Sequence, residues 1–181
     1  MLGKLFELEL PLVLLDLETH AFVPVERAHI VDLSMTIFEV DGSFEQFNSL
    51  IKPPEPISRE ATAKHGITNE MVENEPDLLT YMKTSGLGKK LLRPSDFAGY
   101  NHRAFDVKVL EASMVRMGVK DWSSGGAYML DAYRLWQVMS GRTLSDAVQE
   151  FLRREPTAAH RAWGDVADTH DVLLAMFERW P

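Results

Sequence analysis

The order of segments along the sequence predicts a mixed α/β sheet, rather than a helical bundle or a β-sandwich. Residues 11–15, Pro-Leu-Val-Leu-Leu, form the continuous apolar run that is typical of a strand buried on both faces. Two strand-like segments follow and are joined by a hairpin signal at Asp41-Gly42. The second half of the chain alternates helical segments with short apolar segments. This order favours one sheet covered by helices.

The first half of the chain is expected to supply three strands and three helices. Ser58 is placed to cap a helix, because a hydroxyl just before a helical segment accepts a hydrogen bond from its first backbone N–H groups. A proline-rich stretch at residues 53–56 ends the third strand. The strands are expected at residues 11–17, 30–40 and 44–51, and the helices at residues 58–65, 68–73 and 77–92.

The second half is expected to supply two short strands and four helices. In the first of these helices, Val107, Leu110 and Met114 are apolar at helical spacing. Thr143 and Asp146 form a capping pair that opens a later helix. The strands are expected at residues 95–100 and 127–130, a loop at 123–126, and the helices at 104–117, 132–139, 143–154 and 164–177.

The length and composition indicate one compact domain, residues 1–181, with a sizeable core. The chain has no cysteine, which excludes a disulfide framework, a thiolate metal site and a thiol nucleophile. No apolar run reaches the length of a membrane span, and no small-residue cleavage site follows the N-terminal segment. We therefore expect a soluble, cytoplasmic protein without a membrane partner.

The formal net charge of −8 argues against a protein that coats long stretches of duplex. That mode of binding needs many Lys and Arg side chains on one face. The charge is compatible with an enzyme that binds only the end of a nucleic-acid strand, since bound cations offset acids clustered in a site.

Two acids, Asp16 and Glu18, directly follow the apolar run of the first strand. Residues i and i+2 of a strand point to the same side, roughly 7 Å apart, so the two carboxylates repel each other unless a positive group lies between them. The alternative is that the strand has ended and both acids lie in a solvated turn. On this stretch alone we favour the turn, because acids are mostly exposed.

Three further residues decide between these interpretations. Asp106 opens a helix directly after a strand, at the edge where open α/β sheets bind ligands, and His160 and Asp165 lie where the last helix opens. If the two strands concerned are neighbours, four carboxylates converge with a histidine at the rim. An oxygen cage of this kind is what Mg²⁺ or Mn²⁺ prefers, and two such ions can activate water for phosphodiester hydrolysis. His160 would then be the general base.

Four segments together resemble the DEDDh 3′–5′ exonucleases of the ribonuclease H-like superfamily. They are Asp16-Leu-Glu-Thr19, residues 57–71 with His-Gly-Ile-Thr, Asn101-His-Arg-Ala-Phe-Asp106, and His160-Arg-Ala-Trp-Gly-Asp165 with its H-x4-D spacing. They appear in the order of the family and span nearly the whole chain. The resemblance implies an α/β ribonuclease H-like fold, with a five-stranded mixed β-sheet flanked by helices and the first strand at its centre.

The resemblance also implies an activity, the hydrolysis of single-stranded 3′ ends to nucleoside 5′-monophosphates. DNA is the preferred substrate, with RNA close behind because the motifs of the family serve both. A phosphohydrolase of oligonucleotides and a non-catalytic nucleic-acid-binding module are the alternatives. The implied metal ligands, for two Mg²⁺ or Mn²⁺ ions, are Asp16, Glu18, Asp106 and Asp165, and His160 is the implied base. The implied substrate contacts are Thr19, His20, Phe22, His65 and Asn101.

Two positions depart from the usual pattern of the family. The family often continues the first motif with Thr-Gly and an apolar residue, whereas this chain has His20-Ala21-Phe22. We expect Phe22 either to stack on the terminal base or to plug the core. Trp163 stands where the family usually has a smaller aliphatic residue, and is expected to pack under the site or to narrow it.

Other acids near the motifs are interpreted as structural or solvated. Asp168 and Asp171 lie one and two helical turns beyond Asp165, and we interpret them as a solvated helix face because acids are seldom buried. Asp32 and Asp131 are expected to serve structure, the second as an N-cap to the helix that follows it.

Overall fold

The computed structural model describes residues 8–119, 122, 127–139, 143–158 and 160–179 of the chain. A five-stranded sheet forms its centre, with the strand order β3-β2-β1-β4-β5. The expectation of a mixed sheet with the first strand at its centre is confirmed. The strands are β1 (Leu12–Thr19), β2 (Ile30–Phe38), β3 (Phe44–Leu50), β4 (Asp96–Gly99) and β5 (Met129–Asp131).

Pairing on both sides places β1 between an antiparallel and a parallel neighbour. β2 runs antiparallel to β1, and β3 returns antiparallel to β2 after the turn at Asp41-Gly42. Gly42 has a φ of 84°, a left-handed conformation that glycine adopts without steric cost. β4 and β5 run parallel to β1. The carboxyl ends of β1 and β4 therefore meet at one edge of the sheet, where α/β proteins place their ligands.

Four short helices follow β3. Ser58 caps the first by accepting a hydrogen bond from the Ala61 N–H (3.1 Å), as predicted. The single helix predicted over residues 77–92 is wrong, because Gly86 has a φ of 80° and a left-handed residue interrupts a right-handed helix. The helices are α1 (Arg59–His65), α2 (Asn69–Val72), α3 (Leu78–Thr84) and α4 (Leu87–Leu91).

The later helices begin and end close to the predicted positions, with one exception. Thr143 and Asp146 form the predicted capping box, but the helix gives way to a π-helical turn over Val148–Leu152, and Arg153 is left-handed with a φ of 54°. The loop predicted at 123–126 lies outside the described residues. The helices are α5 (Asp106–Arg116), α6 (Ala132–Met139), α7 (Leu144–Ala147) and α8 (Ala162–Arg179).

Hydrophobic cores lie on both faces of β1, as its apolar run predicts. Leu15 and Leu17 pack on one face with apolar residues of α5, and Leu14 packs on the other face with apolar residues of α8. Because side chains alternate along a strand, Asp16 and Glu18 continue the face that α8 covers. Among the described residues, none of the helices is both long and apolar enough to cross a membrane.

Candidate active site

Asp16 and Glu18 lie inside β1 and not in a turn beyond it. The strand continues to Thr19, and Glu18 stands opposite Asp32 of β2. The Glu18 residue is only 7% exposed. The solvated-turn interpretation is therefore wrong. A shift of register between Glu18 and Thr19 then ends the regular pairing, and such an irregularity re-aims the residues that follow it.

Asp106 reaches the same place from the first turn of α5. Its Oδ1 accepts a hydrogen bond from the backbone N–H of Leu17 at 2.9 Å. Leu17 lies between the two acids of β1, so this bond holds the start of α5 against the strand at the position of the acids. The carboxylate also lines the cleft, where it can offer an oxygen to a ligand.

Asp165 and His160 come from α8 and from the turn before it. One carboxylate oxygen from each of Asp16, Glu18 and Asp165 lies within 4.8 Å of the other two. His160 is exposed and has a φ of 62°, which is uncommon for a residue other than glycine and persists only where the surrounding structure enforces it. The structure thus gathers the acids and the histidine that the motifs singled out.

Burial raises the pKa of every carboxyl group in this cluster, and repulsion from nearby acids adds to the shift. Desolvation is the largest cause throughout, and it raises the pKa of Glu18 to about 8 and those of Asp106 and Asp165 to about 7. For Asp16, burial raises the pKa well above its usual range, and the neighbouring acids raise it further. The fully ionised cluster is therefore destabilised unless it receives positive charge.

The donor set fits divalent cations. Three carboxylate oxygens close together, with a fourth carboxylate beside them, give the all-oxygen arrangement that Mg²⁺ and Mn²⁺ prefer. Cations held there would lower the pKa of each acid and keep the carboxylates ionised at neutral pH. We conclude that these residues suit a metal centre better than they suit a hydrogen-bonded network of protonated acids.

The acids open into a cleft of about 660 Å³ at the carboxyl end of β1. A volume of this size is typical of small-ligand sites. Its walls combine aromatic side chains, on which nucleobases stack, with polar groups that can contact a sugar or a phosphate. The wall residues that carry this character are Phe22, Tyr100, Phe105, Tyr133, Lys64 and Asn101.

Thr19, Phe22 and Asn101, three of the residues predicted to contact substrate, line this cleft. Phe22 is 67% exposed, so the expectation that it plugs the core is wrong. The Lys64 ammonium lies 5.8 Å from the centre of the Phe22 ring. Asn101 has a φ of 61°, and its backbone N–H donates to Asp131 Oδ1 at 2.8 Å.

His65 and His20 are both occupied by hydrogen bonds to the protein. His65 Nδ1 accepts from the Ile67 N–H (3.1 Å), which leaves Nε2 to donate to the carbonyl of Thr19 (3.2 Å). His65 thus lines the cleft while it ties α1 to the end of β1.

The His20 side chain does not reach the cleft. Only 3% of His20 is exposed, its Nδ1 accepts from the His29 N–H (3.1 Å), and its Nε2 lies 3.6 Å from Glu55. The prediction that grouped His20 with the substrate contacts is therefore not supported by its position.

The sequence interpretation did not include Lys64, which lines the cleft from the last turn of α1. Its charge lowers the pKa of Glu18, Asp106 and Asp165, so it faces the acids across the cleft. Its position directly before His65 of the His-Gly-Ile-Thr segment was the available signal.

Asp32 has a role that its structural interpretation only partly anticipated. Its Oδ2 lies 3.4 Å from Nε of Arg161, the residue after His160. Burial raises the pKa of Asp32, while Arg161 and the backbone N–H of Ala162 lower it. Asp32 therefore holds the start of α8 against β2, next to Glu18. Asp131 caps as predicted, since its Oδ1 also accepts from the Tyr133 N–H (3.1 Å).

Two expectations about the last helix are wrong. Asp168 does not lie on a solvated face: it is 0% exposed and pairs with Arg154 at 2.8 Å. Only Asp171, further along α8, is partly solvated, with 46% of its side chain exposed. Trp163 neither packs under the acids nor narrows the cleft. It is 46% exposed and lines a separate groove between α8 and strands β1, β2 and β3.

Solved structures support the fold. The chain superimposes on Escherichia coli exonuclease I in complex with a 5cy-dT13 oligonucleotide, with a TM-score of 0.73 at 13% identity, over 96% of this chain and 41% of that one. A second structure, the same enzyme with a dT13 oligonucleotide, matches with a TM-score of 0.73 at 14% identity, over 94% of this chain and 41% of that one. These superpositions show a shared fold, in which a mixed five-stranded sheet is flanked by helices.

The family is shown by a match to the RNase T exonuclease family over residues 13–173. The chain belongs to that family, and its motifs are of the DEDDh 3′–5′ exonuclease type. It is 28% identical to the PolC-type DNA polymerase III of Thermotoga petrophila over 166 residues, and 28% identical to that of Thermotoga maritima over 167 residues. These matches cover 92% of this chain and 12% of each polymerase.

A third relative comes from a phage. The uncharacterized exonuclease CP81 of Escherichia phage 186 is 32% identical over 107 residues, which cover 59% of this chain and 50% of that protein.

Proposed function

We propose that the protein is a metal-dependent 3′–5′ exonuclease that removes nucleoside 5′-monophosphates from single-stranded 3′ ends, with DNA as its preferred substrate. One observation carries the proposal: oxygens of Asp16, Glu18 and Asp165 lie within 4.8 Å of one another in a cleft that His160 also lines. A cleft of this kind combines a site for divalent cations, a proton acceptor and room for a nucleotide.

The reaction is the attack of water on the last phosphodiester, which breaks the bond from phosphorus to the 3′ oxygen of the preceding nucleotide. Asp16, Glu18, Asp106 and Asp165 would hold two Mg²⁺ or Mn²⁺ ions. When bound, these ions supply a water of lowered pKa and stabilise the charge of the leaving oxygen. His160 takes the proton of the attacking water. Thr19, Phe22 and Asn101 hold the terminal nucleotide, and Lys64 gives its phosphate a positive neighbour.

Support for a single-stranded DNA substrate comes from three sources. The two superimposed exonuclease I structures hold dT13 oligonucleotides. The Thermotoga relatives are DNA polymerases. The exposed ring of Phe22 at the cleft offers a surface on which a base of a single strand can stack. An exoribonuclease is the alternative, and an RNA-specific contact would go to the 2′-hydroxyl.

The test uses single-stranded DNA and RNA oligonucleotides of the same sequence, labelled at either end, with Mg²⁺, Mn²⁺ or EDTA. We expect a 3′ label to be released at once as a mononucleotide, and a 5′ label to descend as a ladder. Asp16→Asn should abolish both the release of the 3′ label and the shortening of the 5′-labelled strand. His160→Ala should lower kcat by roughly 10²- to 10⁴-fold, the usual contribution of a general base.

The controls separate the parts of the proposal. Glu45→Gln removes an exposed acid that pairs with Lys90, away from the cleft, and should retain full activity. Release of mononucleotides that persists in EDTA or in Asp16→Asn would contradict the metal-dependent mechanism. Degradation of RNA but not of DNA would overturn only the substrate preference, and release of the 5′ label as a mononucleotide would overturn the polarity.

A further inference from the structure

A buried hydrogen-bond network joins Asp168 to the segment that leads to His160. Asp168 Oδ1 accepts from Nη1 of Arg154 (2.8 Å) and from the hydroxyl of Thr157 (2.6 Å). Its Oδ2 accepts from the backbone N–H of Thr157 (2.9 Å). Because Asp168 is 0% exposed, these bonds are not in competition with water. The carboxylate therefore holds residues 154 and 157 firmly against α8.

This anchor lies close to His160 along the chain and in space. The carbonyl of Ala158 accepts from the N–H of Arg161 (3.0 Å), which closes a turn around His160. On the far side of His160, Arg161 is held by Asp32 at 3.4 Å. Contacts on both sides of His160 therefore restrain its backbone, which has a left-handed φ of 62°.

The same helix carries both the anchor and a proposed metal ligand. Asp165 and Asp168 are three residues apart in α8, so they lie on adjacent turns of one face. A hydrogen bond from the backbone N–H of His160 is among the causes that lower the pKa of Asp165. Asp168 therefore ties the segment before His160 to the helix that also presents Asp165.

A direct role in the metal centre does not fit Asp168. Both of its oxygens already accept hydrogen bonds, one of them from a guanidinium. The group of mutually close carboxylates contains Asp16, Glu18 and Asp165 and does not include it. A solvated surface role does not fit either, because the residue is fully buried.

We propose that Asp168, with Arg154, is a positioning residue that places the His160 imidazole over the acid cluster. This inference rests on the proposed role of His160 as general base. Misplacing a catalytic group by about 1 Å costs up to roughly 100-fold in rate. Loss of the anchor should therefore lower kcat and leave KM unchanged, because Asp168 is not among the residues that line the cleft.

The test is a double-mutant cycle of Asp168→Asn with His160→Ala in the full chain. Asp168→Asn alone should lower kcat by about 10- to 100-fold. In the His160→Ala background it should have no further effect on kcat, since residues that act through one group are not additive. Asp171→Asn is the matched control: it removes the exposed partner of Arg154, at 3.0 Å, and should change kcat by less than about twofold.

A gentler variant and a second readout keep the test decisive if Asp168→Asn folds poorly. Thr157→Val removes only the hydroxyl donor and should lower kcat in the same direction. Hydrogen exchange of the peptide that contains residues 154–161 should be faster in Asp168→Asn and in Thr157→Val than in Asp171→Asn, and this arm needs no nuclease activity.

Three results would overturn the inference. They are an equal loss of kcat in both backgrounds of the cycle, an unchanged kcat in folded Asp168→Asn, and unchanged hydrogen exchange in the variants. Full activity of His160→Ala would instead overturn the role of His160 as base, which belongs to the proposed function, while the exchange measurement still reports on the anchor.

Discussion

Leu17 and Asp106, which are far apart in the sequence, are joined by a hydrogen bond of 2.9 Å from the Leu17 N–H to Asp106 Oδ1. The bond fixes the first residue of α5 to the strand residue that lies between Asp16 and Glu18. It also explains how a carboxylate at a helix N-terminus becomes part of a cluster on a neighbouring strand. The same carboxylate thus holds α5 against the strand and lines the cleft.

Asp106→Asn should separate these two roles. The amide oxygen of Asn can still accept from Leu17, so the fold should persist, and the loss of one buried like charge should raise the free energy of unfolding in the absence of metal. Activity with Mg²⁺ should fall by at least about 100-fold. Urea denaturation and the labelled-oligonucleotide assay measure the two effects. A variant that loses stability and activity together would contradict the assignment.

The stability of the metal-free protein should decrease as the pH rises. The pKa of Glu18 is raised from 4.5 to about 8, and that of Asp106 from 3.8 to about 7. At a pH between the pKa of such a group in the unfolded protein and its pKa in the folded protein, the folded protein binds more protons. The stability contributed by these groups is therefore fully present at acidic pH and is lost as the pH rises through about 7 to 8.

Urea denaturation in EDTA at several pH values measures this slope. Glu18→Gln should flatten it, because one of the titrating groups is gone. Added Mg²⁺ should stabilise the protein, and more so at higher pH, since the ion binds the deprotonated carboxylates. If stability in EDTA instead increased as the pH rose, ionisation of the acid cluster would not destabilise the fold.

Lys64→Met should tighten the binding of Mg²⁺ severalfold, because the ammonium faces the acids and repels a second cation. The same change should weaken the binding of single-stranded DNA and reduce the dependence of log K on log salt by about 1, the effect of losing one phosphate contact. Calorimetry measures the affinity for Mg²⁺, and fluorescence anisotropy measures the affinity for single-stranded DNA. Lys83→Met, an exposed lysine of α3 outside the cleft, should change neither. Identical behaviour of the two variants would remove Lys64 from the substrate site.

Phe22→Ala should weaken the binding of the substrate end. Stacking of a base on an aromatic ring is worth about 1–3 kcal/mol, which corresponds to a rise in KM of about 5- to 150-fold. Phe22→Trp should retain binding, since it keeps the stacking surface. Tyr128→Ala, which removes an 80% exposed ring outside the cleft, is the matched control. An unchanged KM in Phe22→Ala would show that the ring does not meet the base.

The sheet could be predicted from the sequence because its signals are local. The apolar run before Asp16 and the turn at Asp41-Gly42 each act within a few residues. The dipeptide Ser-Gly that ends at Gly86 is a local signal for the break between two helices. The helical periodicity on both sides of it nevertheless favoured one continuous helix. The φ of 80° at Gly86 is what separates α3 from α4.

The environment of Asp168 could not be predicted from the sequence. Its burial depends on Arg154 and Thr157, which reach it only because a π-helical turn and a left-handed residue redirect the chain after α7. The general rule that acids are exposed therefore gave the wrong expectation. The position of Lys64 near the acids could not be predicted for a similar reason, because it depends on how α1 packs beside β1.

The most direct test of the metal site is a calorimetric titration of Mn²⁺ or Mg²⁺ into the metal-free full chain. Asp16, Glu18, Asp106 and Asp165 should together bind two ions per chain, and Asp16→Asn should lose at least one of them. Glu45→Gln, the exposed-acid control, should match the unaltered protein. Two bound ions that disappear with Asp16 are the result that we expect. An isotherm that is the same for the unaltered protein and for Asp16→Asn would contradict the account.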